Sequence, residues 1–304
     1  MTSIIRHKKK TPRFIAKSNY VKPYLTPANI EARLSHCFSN MLDFVHVDEK
    51  WFYLTKVKRR YYVYDDEEVA TRSVKSKHYI TKVVFLAAVA LPATTITPRR
   101  FETASNNCPK GTLVTVPQAV DSTVYFDAIL NKVVPAIMAK FPGGLRRGDV
   151  FLQQGNAIPH RCVTTELLQA KGVRGIVESN QPTNSPDFNV LDFGFFSSIQ
   201  SLQHQKATRS IEELIGAVES AFYELPADTV AKTFITLQKV LEMSIEMLGS
   251  NDYKLPHMRK DASIADFASY NVEFDASCYE SALTHFHERL GEESTMEALV
   301  NSLD

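Results

Sequence analysis

The sequence is poor in cysteine and contains no long apolar stretch. Its four cysteines, Cys37, Cys108, Cys162 and Cys278, form no C-x-x-C pair. Their spacing excludes a zinc ribbon, a thioredoxin-type motif and a dense disulfide framework, and it favours a reducing compartment. The longest uninterrupted apolar run, 83–91, has nine residues, whereas a membrane helix needs about 20. We therefore expect a chain without a membrane anchor.

Two further absences reduce the number of function classes that the sequence supports. No G-x-S-x-G motif occurs, and Cys162 beside His160 is typical of a core thiol on a helix, so a serine or cysteine hydrolase has little support. The basic first twenty residues are not followed by an apolar stretch, as they would be in a secretory signal. These features predict a soluble intracellular chain, long enough at 304 residues to bury a sizeable core.

Charge is distributed unevenly, although the formal net charge is only +1. Residues 1–82 hold 17 basic and 8 acidic residues, which leaves 18 basic and 26 acidic residues for 83–304. Residues 261–304 contain ten acidic residues and one basic residue, a composition typical of a solvated acidic face. A polyanion is therefore expected to bind the N-terminal side. The candidate contacts are Lys8, Lys9, Lys10, Arg13, Lys58, Arg59 and Arg60.

Hydrophobic patterns predict an α/β fold with a mixed sheet and flanking helices, followed by a helical C-terminal segment. Strands are predicted over 44–54 and 61–64, and a mid-sheet strand covered on both faces over 83–90. The predicted elements that follow are a helix over 125–137, a strand over 150–152, a helix over 160–170, a strand over 175–177 and helices over 211–222 and 230–248. Ser210 and Glu213 predict a capping box, and Gly249 predicts a helix end.

Three segments place polar groups at the ends of predicted elements, where open α/β sheets usually build their sites. Asp48 lies within a strand, where a carboxylate is costly to bury unless a cation or a donor meets it. Residues 153–160 (Gln-Gln-Gly-Asn-Ala-Ile-Pro-His) run from a strand into a polar loop, and Asp192 suits a helix N-terminus. Taken singly, these segments are also explained by an ion-paired aspartate, a turn relieved by Gly155, and a helix cap.

Together the three segments resemble the DDE/DDD transposases of the mariner group. Segments 47–52 (Val-Asp-Glu-Lys-Trp-Phe), 153–160 and 184–192 match the three acidic motifs of the family in order and approximate spacing. The resemblance covers roughly residues 20–205. It implies an RNase H-like fold and DNA strand cleavage and transfer, in which three carboxylates hold two divalent cations, Mg²⁺ or Mn²⁺.

The resemblance assigns Asp48 to the first acidic position and Asp192 to the third, and these two residues become the expected catalytic and metal-binding side chains. The second position falls at Gly155, with 36 residues between it and Asp192, and glycine offers no ligand. We therefore expect weakened metal binding and strand cleavage that is severely impaired or absent. Asn156 and His160 are expected to be neighbours of the site.

Two other acids come into question as replacements for the missing ligand. Asp187 lies in the third motif, and Glu49 follows Asp48 directly. Because successive side chains of a strand point to opposite faces, we expect Glu49 to point away from Asp48.

The family carries a pair of helix-turn-helix units before its catalytic domain, whereas 43 residues precede Phe44 here. We therefore expect DNA to be bound mostly through phosphates, with little sequence preference. The expected domains are a basic arm or linker remnant (1–43), a catalytic domain (44–205) with an insertion (92–120), packed helices (206–250) and an acidic tail (251–304).

The resemblance also implies a nuclear location and is compatible with a homodimer. Two functions stay open at this stage. One is a transposase with impaired catalysis, and the other is a non-catalytic nucleic-acid-binding or protein-interaction module retained from a transposase.

Overall fold

One mixed five-stranded sheet organises the part of the chain that the structure describes. The computed structural model describes residues 22–54, 81–91, 94–99, 120–141, 149–255 and 275–301, with five single residues between 258 and 272. The strands are β1 (Phe44–Tyr53), β2 (Lys82–Ala90), β3 (Thr94–Arg99), β4 (Val150–Gln154) and β5 (Ile176–Asn180), in the spatial order β3-β2-β1-β4-β5. β2 pairs antiparallel with both β1 and β3, whereas β4 pairs parallel with both β1 and β5. The predicted mixed sheet with flanking helices is confirmed.

Eight α-helices surround this sheet within the described residues. They are α1 (Pro27–Cys37), α2 (Ser122–Ala128), α3 (Val134–Lys140), α4 (Thr165–Ala170), α5 (Phe195–Gln203), α6 (Ile211–Glu224), α7 (Ala227–Glu246) and α8 (Ala276–Asn301). A π-helical turn joins α2 to α3, and short 3-10 turns occupy Met41–Asp43, Ile158–Cys162, Pro186–Phe188 and Val190–Phe193.

Two apolar cores lie on opposite faces of the sheet, and β1 contributes to both. Val45 and Val47 pack with Tyr125 of α2 on one face, whereas Phe52 packs with Phe195 of α5 on the other. The burial of both faces agrees with the continuous apolar pattern of the central strands. A polar side chain in the buried part of β1 therefore costs free energy unless it meets a partner.

Two of the predictions differ from the structure, and a third is not tested by it. The predicted helix over His160–Ala170 is wrong, because Val163 is extended and Thr164 caps α4 by accepting a hydrogen bond from the amide of Leu167, at 3.2 Å. The prediction that Asp192 caps a helix is also wrong, because Asp192 lies in the turn Val190–Phe193 and Gly194 occupies the cap position of α5. The predicted strand at 61–64 lies outside the described residues.

The ends of two helices illustrate the local signals. Ser210 Oγ accepts a hydrogen bond from the amide of Glu213 at 3.1 Å, as predicted, but the Glu213 carboxylate accepts from the amide of Arg209 rather than from that of Ser210. Gly249 ends α7 with a φ of +87°, where a side chain would also collide with the carbonyl of Ile30 in α1. α7 can therefore end close against α1 only at a glycine.

Both terminal segments contribute packed helices. α1 lies within the segment predicted as an arm, and it contacts α7 and α8. α8 lies within the segment predicted as an acidic tail, and its Ala282 is completely buried. Among the described residues, no helix combines the length and the apolar character that crossing a membrane requires.

Candidate metal centre

The parallel pairing of β1 with β4 brings the first two motif positions side by side. His46 of β1 pairs with Gln153 of β4, and Gly155 directly follows the end of β4 at Gln154. The paired register ends at His46 and Gln153, and Asp48 and Gly155 each lie two residues beyond that pair. Extension of the register would therefore set residue 155 level with the first acidic position.

Asn189 connects the first and third motif positions. Its Nδ2 donates a hydrogen bond to Asp48 Oδ2 at 2.6 Å and to Asp192 Oδ2 at 3.3 Å. Its Oδ1 accepts from the amide of Leu191 at 3.0 Å and so caps the 3-10 turn that carries Asp192. The two aspartates, 144 residues apart in the chain by their numbering, thus share one amide group. Asn189 is not among the residues predicted for the site, although its spacing to Asp192 is typical of a cap.

The environment of Asp48 disfavours its negative charge. Burial raises the pKa of Asp48 to about 6, and the charges of Asp192 and Glu49 act in the same direction. Hydrogen bonds from Asn189 and from the amide of Glu49 oppose this rise. The Lys50 ammonium lies 3.9 Å from Asp192 Oδ1, but both side chains are well exposed and such pairs contribute little. The carboxylates are therefore short of positive charge, which a cation would supply.

Glu49 points away from Asp48, as predicted, and pairs with His160. His160 Nε2 lies 2.9 and 3.1 Å from the two carboxylate oxygens of Glu49, and Nδ1 lies 2.9 Å from the carbonyl oxygen of Gly155. Both partners only accept hydrogen bonds, so the ring donates through both nitrogens as an imidazolium. Burial lowers the pKa of His160, but the hydrogen bond and charge of Glu49 outweigh it and raise this pKa overall.

The other face of His160 lies against Tyr125. The two rings stack with their centroids 4.2 Å apart, and the Tyr125 hydroxyl donates to Gln154 Oε1 at 3.1 Å. His160 is thereby held against the carbonyl of Gly155, as the predicted neighbour of the site. Asn156, the other predicted neighbour, is exposed and donates to the carbonyl of Gln181 at 2.8 Å.

The backbone does not require glycine at position 155. Its φ lies outside the left-handed region, and a Cβ built there would lie 3.6 and 3.7 Å from Nδ1 and Cε1 of His160, which is ordinary contact. Relief of a strained turn therefore does not explain Gly155. The position has room for a side chain and lacks one.

The other acid of the third motif, Asp187, is engaged elsewhere. Its two carboxylate oxygens accept from Nη1 and Nη2 of the fully buried Arg33 at 2.7 and 2.8 Å. The Arg33 pair holds the pKa of Asp187 below its ordinary value despite the opposing effect of burial. Asp187 and Glu49 are therefore both engaged in pairs with other side chains. The predicted DNA contacts Lys8, Lys9, Lys10, Arg13, Lys58, Arg59 and Arg60 lie outside the described residues.

The donor set fits one divalent cation and does not fit two. Within the described residues, no group of three or more His, Cys, Asp or Glu side chains is arranged to hold a metal ion. Asp48 and Asp192 nevertheless present hard oxygen atoms around a common point, and Mg²⁺ is commonly bound by one or two carboxylates plus water. A second cation would need the carboxylate that Gly155 does not supply.

Comparisons with known proteins concern the fold. No protein-family profile matches the sequence, and no curated protein matches it. The Mos1 mariner paired end complex with Mn shares 16% identity at a TM-score of 0.60, with 83% of this chain and 71% of that chain covered. The Mos1 transposase paired-end complex with left transposon end shares 16% at 0.59, over 83% and 71%. The catalytic domain of Mos1 mariner transposase shares 17% at 0.52, over 77% of this chain and 100% of that chain. The chain therefore has the RNase H-like fold of the mariner transposase catalytic domain.

Proposed function

We propose that this protein derives from a mariner-type transposase and that its catalytic domain has lost most or all of its capacity to cleave DNA. One observation carries the proposal. Asn189 ties Asp48 to Asp192, and residue 155, which the extended register sets level with Asp48, has space for a side chain but is glycine. The frame of a three-carboxylate site is kept, while one of its ligands is missing.

Asp48 and Asp192 would hold one Mg²⁺ or Mn²⁺, with the remaining positions filled by water. Such a cation supplies Lewis-acid stabilisation of a phosphate group when it is bound. Asn189 orients both carboxylates, and the imidazolium of His160 holds the backbone of residue 155 in place. The similar Mos1 structures include a complex with Mn and a complex with a transposon end, which supports a divalent cation and DNA as the ligands.

A plasmid-nicking assay with Mg²⁺ or Mn²⁺ tests the role of Gly155. We expect little or no nicking by the wild-type protein and a gain in Gly155→Asp of at least about tenfold, which corresponds to about 1.4 kcal/mol of transition-state stabilisation. Gly155→Asn is the matched control, because it has the same size but no charge, and it should not gain activity. A Cβ at this position, which both variants introduce, makes only ordinary contact with His160.

Two results would contradict the proposal. Efficient cleavage by the wild-type protein that disappears in Asp48→Asn would show that two carboxylates suffice. A folded Gly155→Asp variant that gains no more than Gly155→Asn would show that residue 155 is not the missing ligand.

DNA binding without cleavage is the second candidate function, and the excess of basic residues in 1–82 favours it. In this proposal the protein is nuclear, and a homodimer is compatible with its function. The phosphates are contacted by Lys8, Lys9, Lys10, Arg13, Lys58, Arg59 and Arg60. The affinity for duplex DNA should then fall steeply as salt is raised. Absence of binding at low salt would exclude this function.

A further inference from the structure

We infer that Asn189 is a positioning residue that sets the relative orientation of Asp48 and Asp192 for a bound cation. This inference rests on the proposed function of the site. Asn189 belongs to none of the three acidic positions, yet it is the side chain whose single amide group donates to both aspartates, at 2.6 and 3.3 Å.

The orientation of the Asn189 amide follows from its partners. Oδ1 faces the amide N–H of Leu191 at 3.0 Å, and Nδ2 faces two carboxylates, which only accept hydrogen bonds. A flipped amide would set a donor against a donor and an oxygen against two carboxylates. Asn189 therefore presents two N–H groups to two negatively charged side chains, and each N–H can serve one of them.

A second 3-10 turn in this chain distinguishes the capping of a turn by asparagine from the positioning of the two aspartates. Asn40 caps the 3-10 turn Met41–Asp43 with the same contacts, since its Oδ1 accepts from the amide of Leu42 at 3.2 Å and its Nδ2 donates to Asp43 at 2.8 Å. The turn at Asn189 repeats this arrangement with Leu191 and Asp192. Of these two residues, only Asn189 also donates a hydrogen bond to a strand residue, Asp48. This hydrogen bond is shorter than the one that Asn189 donates to Asp192.

The choice of asparagine supports a role beyond the cap. Aspartate and serine cap as well as asparagine does, but neither brings a donor pair to two carboxylates. Hydrogen bonds to one lone pair of a carboxylate oxygen leave others for a cation. Residues that hold metal ligands in this way commonly change metal affinity 10–100-fold when they are replaced.

The experiment measures Mn²⁺ affinity by calorimetry, together with the melting temperature without metal, in the full chain carrying Gly155→Asp and in the wild-type chain. Asn189→Ser keeps the cap and removes the shared donor, and Asn40→Ser is the matched control. We expect Asn189→Ser to weaken Mn²⁺ binding by about 10–100-fold and Asn40→Ser to leave it unchanged. Asn189→Thr, which also caps, takes the place of the serine variant if the latter fails to fold.

Asp48→Asn separates the failure of this inference from the failure of the proposed function. If Asp48→Asn abolishes Mn²⁺ binding while Asn189→Ser leaves the affinity unchanged or increases it, the inference is overturned and the proposed function stands. An equal loss in Asn189→Ser and Asn40→Ser also overturns the inference, since capping alone would then account for it. If Mn²⁺ does not bind, or binds equally well to Asp48→Asn, both proposals fail.

Discussion

The polar groups around Asp48 form a continuous set of hydrogen bonds with one another. The carbonyl of Gly155 accepts from His160, His160 pairs with Glu49, and the amide of Glu49 donates to Asp48 Oδ1 at 2.8 Å. Asp48 Oδ2 in turn shares Asn189 with Asp192. These contacts join all three motif positions without a cation. These contacts therefore do not require a carboxylate at position 155.

Replacement of the Glu49 carboxylate tests the contribution of its pair with His160. Glu49→Gln keeps the shape of the side chain but removes a charged acceptor from a histidine side chain that is only 6% exposed. Since hydrogen bonds to charged groups are worth about 1.5–3 kcal/mol, we expect a loss of unfolding free energy in that range, measured by urea denaturation. The exposed pair Lys206–Glu224 provides the control, because Glu224→Gln should cost less than about 1 kcal/mol.

The loss in Glu49→Gln should depend on pH. The raised pKa of His160 means that its charged form stabilises the fold fully below the unfolded value of about 6.5. This contribution disappears as the pH rises through the raised pKa. The difference between Glu49→Gln and the wild type should therefore shrink in alkali, and an equal difference at every pH would contradict the ion pair.

Among the elements, one buried arginine connects the third motif to α1 and to the segment that follows α7. Arg33 of α1 is completely buried, and its Nε donates to the carbonyl of Gly249 at 2.8 Å while its guanidinium forks onto Asp187. The hydroxyl of Tyr253 also donates to Asp187. The turn Pro186–Phe188 that precedes Asn189 is thereby fixed against α1. The segment predicted as a linker remnant thus supports the candidate site.

Replacement of Arg33 should lower the free energy of unfolding. Arg33→Met leaves the Asp187 carboxylate partly buried and unpaired, and removal of one partner of a buried pair commonly costs about 3–5 kcal/mol. The double variant Arg33→Met/Asp187→Asn removes the stranded charge and should recover part of this loss in urea denaturation. A double variant that is less stable than Arg33→Met would contradict the explanation that the unpaired Asp187 charge causes the loss.

For the molecule as a whole, the burial of two histidines makes the stability of the fold sensitive to acid. Burial lowers the pKa of His36 to about 4, helped by the charge of Arg33, and lowers that of His46 to about 3, helped by His36. Neither ring nitrogen of His46 has a hydrogen-bond partner in the structure, and its ring lies against Phe234. Protonation of either histidine must therefore favour the unfolded chain.

The direction of the pH dependence follows from these values. Below pH 6.5, His36 and His46 bind protons in the unfolded chain but stay neutral in the folded chain. The free energy of unfolding therefore falls as the pH falls toward 4. Asp48 acts in the opposite direction between pH 6 and its ordinary value of 3.8, since its folded pKa is about 6. Two histidines outweigh one aspartate, and we expect a net loss on the order of a few kcal/mol at pH 4.5.

Thermal melting between pH 7 and pH 4.5 provides the measurement. His46→Phe should flatten the profile, because phenylalanine is close in shape and has no ring nitrogen to protonate. Replacement of the exposed His287 by phenylalanine is the control and should leave the slope unchanged. An equal slope in His46→Phe and the wild type would contradict the assignment to His46.

Much of the architecture could be predicted from local patterns. The central strand over 83–90 and the long strand from Phe44 follow from runs of apolar and β-branched residues, and the structure has them at Lys82–Ala90 and Phe44–Tyr53. The break between His160 and Ala170 could not be predicted from the apolar spacing, because it depends on Thr164 as a new cap. Asp192 was assigned to a helix start, because a carboxylate before an apolar run is typical of a cap.

The order of the three motifs and the absence of a carboxylate at position 155 can be read from the chain alone, since both are properties of residue type and spacing. Which side chains meet depends on how the chain folds. Asn189 reaches Asp48, His160 holds Glu49, and Arg33 removes Asp187 from the site through contacts between elements distant in the chain. Hydrogen bonds and ion pairs act over about 3 Å in space, and no local pattern of residues encodes which distant groups come within that distance.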